Sequence, residues 1–363
     1  MVNGKIIGID ARMIEMSGIG TYIQHLMNRG IYDYAFGIPE IINKYDKNIK
    51  VIYFDAPIYS IKEQLGFPNT ECKKAKIDLV HFPHYNVPIS YQGDYIVTIH
   101  DLTHILFPEL LGNKIKYCYA KFLIKNAVKR AISVITVSEN SKRDIEKYLS
   151  VDSKKISITY NAVSGEFCEK SKEQLAYIYN KFGIKKNKKN ILYVGNLKVH
   201  KNLNRLLNAF ANLKNRDEYQ LILAGKAFKS LSLEQTELDL GIKQNIVHTG
   251  LVSNEDLINL YNVADLFIFP SLYEGFGIPP LEAMACHTAV ACSNTSSLPE
   301  VVGEAAITFN PENVFEIKTA IETVFNDQSF RNNLIQKGLQ QYKKFDWDIT
   351  ANIVKRVIEN SFK

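Results

Sequence analysis

Ser271-Leu-Tyr-Glu-Gly-Phe-Gly-Ile-Pro-Pro-Leu-Glu282 sets two carboxylates, Glu274 and Glu282, eight positions apart, the first beside glycines and the second just after a proline pair. Gly275 and Gly277 allow close approach of backbone to a ligand, and Pro279 or Pro280 can open a helix. The pattern predicts Glu274 on a loop and Glu282 in the first turn of that helix, so that the acids address different parts of one ligand. The preceding run, Leu266 to Phe269, reads as a buried strand. Strand, proline, Glu, Gly-x-Gly, Pro-Pro and helix in that order deliver the loop to the carboxyl edge of a sheet, where open α/β folds bind ligands. Singly, the residues have plainer readings: Glu282 as an acid favoured by the helix dipole by roughly 0.3 to 1 kcal/mol, and Glu274 as a surface loop residue.

Short β-branched runs alternate with amphipathic segments on both sides of this stretch. Lys5 to Ile9, Val51 to Phe54, Leu79 to Phe82, Ile96 to Ile99, Ser133 to Val137 and Ile156 to Tyr160 read as strands of the first half. Ile191 to Val194, Gln220 to Ala224, Ile246 to His248, Leu266 to Phe269 and Ala289 to Cys292 repeat the theme in the second, with Ser253 and Asp256 spaced as a capping box. Two doubly wound α/β sheets are the expected outcome. Strand signals stop between Asn161 and Lys189, and a lysine run at 185–190 reads as a solvated loop. The domains are therefore set at 1–165 and 166–345, with a terminal segment, 346–363, periodic at helical spacing.

With 363 residues, 46% hydrophobic and 23% charged, the chain can bury two large cores. Its formal charge of +6 suits phosphate-bearing ligands or an anionic membrane surface. Five cysteines without a C-x-x-C pair argue for reduced thiols and against a disulfide scaffold or zinc site. Asp10 interrupts the N-terminal apolar run early, unlike a secretion signal, and no apolar run reaches the ~18 residues of a membrane span. A cytoplasmic location is expected.

Three further places carry chemistry. Ser17-Gly-Ile-Gly-Thr21 lies between an early strand and a helix expected at Thr21 to Met27, where backbone N–H groups can receive a phosphate; Gly18 and Gly20 lack the third glycine of a dinucleotide fingerprint. Lys201, in Gly195-Asn-Leu-Lys-Val-His-Lys-Asn202, sits at a helix start against the dipole preference and so asks for an anion. His100 and Asp101 follow the buried strand at Thr98, at a place where histidine often serves only structure. In addition, Lys114 to Arg130 interleaves Lys114, Lys116, Lys121, Lys125, Lys129 and Arg130 with Tyr117, Tyr119 and Phe122. That segment is either the solvated face of a core-packed helix or a docking face for anionic lipid.

The run from Val247 to Asn310, with HTGLVSNEDLINLYNVADLFIFPSLYEGFGIPPLEAMAC and SSLPEVVGEAAITFNP, resembles the retaining GT-B glycosyltransferases with an E-x7-E signature, family 4 in type and similar to bacterial O-antigen mannosyltransferases. YVGNLKVHKNLNRLLNAF, GIDARMIEMSGIGTYIQHL and TIHDLTHILFPE extend the likeness over nearly the whole chain. The resemblance implies two Rossmann-like domains with an interdomain cleft, an acceptor-binding first domain, a nucleotide-sugar-binding second domain, and a terminal helix that packs back on the first.

It also implies roles. His100 lies beside the transferred sugar, Lys201 on the donor diphosphate and Glu274 near sugar hydroxyls, with Gly275, Phe276 and Gly277 offering amides; these make His100, Glu274 and Lys201 the catalytic set. Glu282 accepts from ribose hydroxyls, as an ionised two-oxygen acceptor can. Gly18, Gly20, Asn196, His200, Leu251, Val252 and Ile278 complete the donor set, the base being read by backbone after Gly250. His84, Asp101 and Ser138 lie on the acceptor side. No cofactor is implied, and no Asp-x-Asp motif of the metal-dependent sugar transferases is expected in the chain. His200 stands where relatives often carry arginine, and His287-Thr-Ala289 replaces a Gly-x-Pro, at a cost of about 1 kcal/mol if His287 must turn left-handed.

The function so implied is transfer of a hexose, with retention, from a nucleoside diphosphate sugar to a saccharide or lipid-linked saccharide in surface polysaccharide synthesis. GDP-mannose is preferred over UDP-sugars as donor. Peripheral contact with the inner face of an anionic membrane is expected, and nucleic acid is not a partner. A GT-B sugar-nucleotide epimerase or hydrolase, or a non-catalytic sugar-nucleotide-binding protein, are the alternatives, which donor turnover with and without acceptor would separate.

Overall fold

The structure, a computed structural model, describes Val2, residues 4–226 and residues 231–363. The chain divides into two compact units, Met1–Asn161 with Asp346–Lys363, and Ala162–Phe345. Each is built on a wholly parallel sheet.

In the first unit, β1 (Ile7–Asp10), β2 (Tyr34–Gly37), β3 (Lys50–Tyr53), β4 (Leu79–Phe82), β5 (Tyr95–Ile99), β6 (Ser133–Thr136) and β7 (Ile156–Ile158) lie in the order β3-β2-β1-β4-β5-β6-β7. The direction of winding reverses between β1 and β4, so the crevice at the carboxyl ends of those two strands is the topological switch point. In the second unit, β8 (Lys189–Val194), β9 (Tyr219–Ala224), β10 (Ile246–Gly250), β11 (Leu266–Phe269), β12 (Ala289–Ser293) and β13 (Ile307–Phe309) follow the order β10-β9-β8-β11-β12-β13. Here the switch falls between β8 and β11.

Central strands such as Leu-Phe-Ile-Phe of β11 are buried along their whole length, because helices cover both faces of a parallel sheet. Phe36, Phe82, Tyr95 and Val97 anchor the first core. Leu206, Phe210, Leu221, Ile268 and Ile321 anchor the second. The terminal helix Trp347–Asn360 packs on the helix Ser17–Met27, with Trp347 stacked on His25 at 4.4 Å and Arg29 paired with Asp348 at 2.6 Å.

Several sequence expectations need correction. β2 and β13 were not anticipated, because Tyr-Ala-Phe-Gly and Ile-Thr-Phe are too short to show a period. The helix expected from Thr21 begins at Ser17, so Gly18 and Gly20 form its first turn rather than a preceding loop. The helix after the Gly-x-Gly loop begins at Ile278, with the prolines inside its first turn. Glu282 consequently stands in the second turn, where a favourable helix-dipole position no longer accounts for it.

Candidate functional site

The loops at the second switch point are locked together by side chains that the sequence reading did not single out. Asn202 adopts a left-handed backbone, φ 59°, which asparagine tolerates better than most residues. Its amide nitrogen donates to the carbonyls of Pro270 at 3.0 Å and Pro311 at 2.7 Å. The Leu272 N–H donates to the His200 carbonyl at 2.7 Å. Ser296 Oγ donates to the Glu274 carbonyl at 2.6 Å and accepts its N–H at 3.1 Å, while Ser297 Oγ donates to the Phe276 carbonyl at 2.7 Å. Gly277 has φ 110°, and a Cβ there would stand 2.7 Å from Leu298 Cδ2, so glycine is required. The available signals were an asparagine just before a helix and a Ser-Ser pair before Leu-Pro, both turn-forming.

On this frame Lys201, at the end of a 3-10 turn after β8, reaches Glu274 on the loop after β11, with Nζ 2.7 Å from Oε1. The two side chains are only 17% and 14% exposed, and the ammonium lies 5.3 Å from the Phe269 ring centroid. The pair bridges the switch point. Such a bridge supplies both a cation for a phosphate and a carboxylate for hydroxyls. Gly275, Phe276 and Gly277 beside it are buried, and Ile278 opens the following helix. Glu282, one turn on, accepts a hydrogen bond from Tyr261 Oη at 2.8 Å. Burial pushes its carboxyl up to about 7, against the opposing effect of the Tyr261 hydrogen bond.

Of the other expected donor residues, Asn196 is half-buried in the loop after β8 and its Oδ1 has no hydrogen-bond partner. His200 is buried at 5% exposure, whereas Leu251 is 75% exposed after β10 and Val252 half-buried. His287 takes φ 60° at the end of its helix, so the left-handed turn is kept without glycine.

In the first unit, His100 follows β5, and its Nε2 lies 2.9 Å from the Pro83 carbonyl. Tyr22 meets its ring edge-on at 5.1 Å, tying it to the Gly18–Gly20 helix. Burial lowers the His100 imidazole, against the hydrogen bond to Pro83 and the charge of Asp101. Gly18 is exposed with open space around its Cα, and Gly20 is packed so that a Cβ would fall 2.4 Å from the Ile14 carbonyl oxygen. Asp101 accepts from the Thr103 N–H at 2.8 Å, and His84 lies against Tyr85 with ring centroids 4.0 Å apart. Ser138 is fully buried and caps the helix Glu139–Leu149 by accepting the Ser141 N–H at 3.0 Å.

The expectation of no Asp-x-Asp motif is corrected by one triplet, Asp346-Trp-Asp348. Its acids serve structure, Asp346 as the cap of the terminal helix and Asp348 as the partner of Arg29. Among the described residues, no cluster of three or more His, Cys, Asp or Glu could hold a metal ion, and no helix is long and apolar enough to cross a membrane.

Two doubly wound units, with a charged pair held at one switch point, define a GT-B architecture. Residues 64–167 match Glycosyltransferase Family 4 and residues 178–341 match Glycosyl transferases group 1. The O-antigen chain mannosyltransferase B of Escherichia coli is 32% identical over 274 residues, covering 74% of this chain and 71% of that protein. The serotype-specific mannosyltransferase WbdA of Escherichia coli is 31% identical over 291 residues, 76% of this chain but only 34% of WbdA, so the chain spans about a third of that relative. Sucrose-phosphate synthase from Thermosynechococcus elongatus shares the fold, with a TM-score of 0.80 at 16% identity over 99% of both chains. The chain belongs to the group 1, family 4 glycosyltransferases.

Proposed function

We propose that this protein transfers a mannosyl unit from GDP-mannose, with retention and without a metal, to a saccharide or lipid-linked saccharide in surface polysaccharide assembly. The observation that carries this reading is the Lys201–Glu274 pair at 2.7 Å across the β8/β11 switch point. Lys201 stabilises the negative charge that grows on the departing diphosphate, the largest need of an oxocarbenium-like transition state. Glu274 and the Gly275–Gly277 amides orient the sugar hydroxyls, Glu282 accepts from the ribose, and Asn196, Leu251 and Val252 border the base. His100, with Asp101 beside it, aligns the anomeric carbon from the first unit. The mannosyltransferase names of the two Escherichia coli relatives support the choice of donor.

Contact with an anionic membrane forms part of the reading. The helix Lys114–Arg130 leaves Ile115 81% exposed and Phe122 54% exposed, on the side that also carries exposed Lys125 and Lys129. Apolar side chains left uncovered beside lysines suit a lipid surface better than a simply solvated face. Flotation with anionic vesicles should be salt-sensitive and weakened in Lys125→Glu/Lys129→Glu.

The transfer reading is tested by donor turnover of GDP-mannose against UDP-sugars, with and without saccharide acceptor, and by NMR of the product anomer. Lys201→Ala and Glu274→Ala should each lower kcat/KM by about 10²- to 10³-fold, with the fold intact. Near-normal rates in either variant, or turnover indifferent to acceptor, would overturn it.

A further inference from the structure

Tyr261 lies on the helix Asn254–Val263, which packs against the helix Ile278–Ala285 that carries Glu282. The tyrosine is fully buried, and its Oη donates to Glu282 Oε2 at 2.8 Å. Its ring meets Phe167 and Phe267 edge-on, with centroids 6.0 and 5.3 Å away. Its carbonyl oxygen accepts the Thr288 hydroxyl at 2.6 Å, which ties this helix to the turn leading into β12. Ring and main chain are both held, so the phenol oxygen has one place to be.

Glu282 is held by less. Its side chain is half-buried, and among the described residues the Tyr261 phenol is the one hydrogen-bond donor to it. A carboxylate offers about four lone-pair sites, so a phenol on one of them leaves the rest for a pair of neighbouring hydroxyls. A donor fixed at one point limits the rotation of the carboxylate. It also favours the ionised form, since the bond is stronger to a charged oxygen than to a neutral acid. That bond opposes the burial which drives Glu282 up to about 7. The Cys286 thiol, one turn further along the same helix, is affected by the same charge. Burial and the Glu282 carboxylate push both the thiol and the Tyr261 phenol up, so both stay protonated over the range of the test below.

We infer that Tyr261 is a positioning residue for the nucleotide ribose: its phenol holds the Glu282 carboxylate at one rotation, as a charged acceptor for the 2′- and 3′-hydroxyls. The inference rests on the assignment of Glu282 to the ribose and names the side chain that makes that carboxylate competent.

The test takes whichever of GDP and UDP binds wild type more tightly, together with its 2′-deoxy counterpart. Both are titrated by calorimetry between pH 6 and pH 9 into wild type, Tyr261→Phe, Glu282→Gln and the double variant, with Tm followed in each. Phenylalanine keeps the ring that packs on Phe167 and Phe267 and removes only the donor. In Tyr261→Phe the midpoint of the pH profile should move up by about one unit, because a hydrogen bond to a charged group is lost. Nucleotide binding should then be about fivefold weaker than wild type at pH 7 and within about twofold of it at pH 9. The 2′-deoxy nucleotide should lose less. In the Glu282→Gln background the same tyrosine substitution should change affinity by less than about twofold, as expected of a residue that acts through Glu282. An unmoved midpoint, or a loss of equal size at both pH values, for both nucleotides and in both backgrounds, marks Tyr261 as structural only and overturns the inference. Parallel profiles for wild type and Glu282→Gln instead refute the ribose assignment itself, and absence of both GDP and UDP binding refutes the donor site, so these failures are distinguishable.

Discussion

Glu282 should give donor binding a pH dependence that its substitution by glutamine removes. Its carboxyl ionises near 7 instead of at the ordinary 4.5, because burial penalises the charge more than the Tyr261 hydrogen bond favours it. If only the ionised form accepts both ribose hydroxyls, the apparent dissociation constant scales as one plus the ratio of protonated to ionised carboxyl. Between pH 8 and pH 6 that factor rises about tenfold, or ~1.4 kcal/mol. The assay is calorimetric titration with GDP and UDP at several pH values and constant ionic strength, on wild type and Glu282→Gln. The diphosphate titrates in both proteins, so the difference between their profiles isolates the carboxyl. The stability of the unliganded protein runs with a defined sign too: an acid whose folded pKa is raised contributes least above about 7 and most below 4.5. Wild type should therefore lose stability relative to Glu282→Gln as pH rises through that window. Parallel binding profiles for the two proteins would refute the assignment of Glu282 to the ribose.

Asn202→Ala should cost roughly 2 to 4 kcal/mol in urea unfolding, because two buried carbonyls lose their donor; Asn202→Gly relieves the left-handed backbone without restoring the bonds, so it should remain destabilised. Gly277→Ala should lower stability by about 1 to 3 kcal/mol and weaken nucleotide binding, since its Cβ meets Leu298 at 2.7 Å. His287→Gly should raise stability by about 0.5 to 1 kcal/mol, measured by Tm, as φ 60° suits glycine; an unchanged or lower Tm counts against strain at that turn.

The E-x7-E stretch was legible because each of its residue types has a local meaning. Its glycines, prolines and buried strand fix a loop at a sheet edge before any long-range contact is known. What could not be read was the partnership of Lys201 with Glu274, 73 positions apart, since it depends on β8 and β11 becoming neighbours in the sheet. The same limit hid Asn202 and Ser296, whose work is to tie one loop to another. It also hid the capping role of Ser138, whose short polar side chain reads alike as a surface hydroxyl or a buried cap. Glu282 was placed in the right helix but one turn early. That turn moves it from a dipole-favoured end, where an acid costs nothing, to an enclosed position where its charge is expensive and therefore calls for a ligand.

The two sheets reverse direction at equivalent strands, β1/β4 and β8/β11, yet their switch points carry opposite chemistry. In the second unit the ion pair is a single lysine with a single glutamate, which a diphosphate can enter by exchanging one anion for another on Lys201. In the first, Arg12 is held by two carboxylates, a carbonyl and an aromatic face. The two switch points therefore hold their charges differently, one cation between two carboxylates in the first and a single ion pair in the second, a difference that neither set of loops could reveal without its strand order.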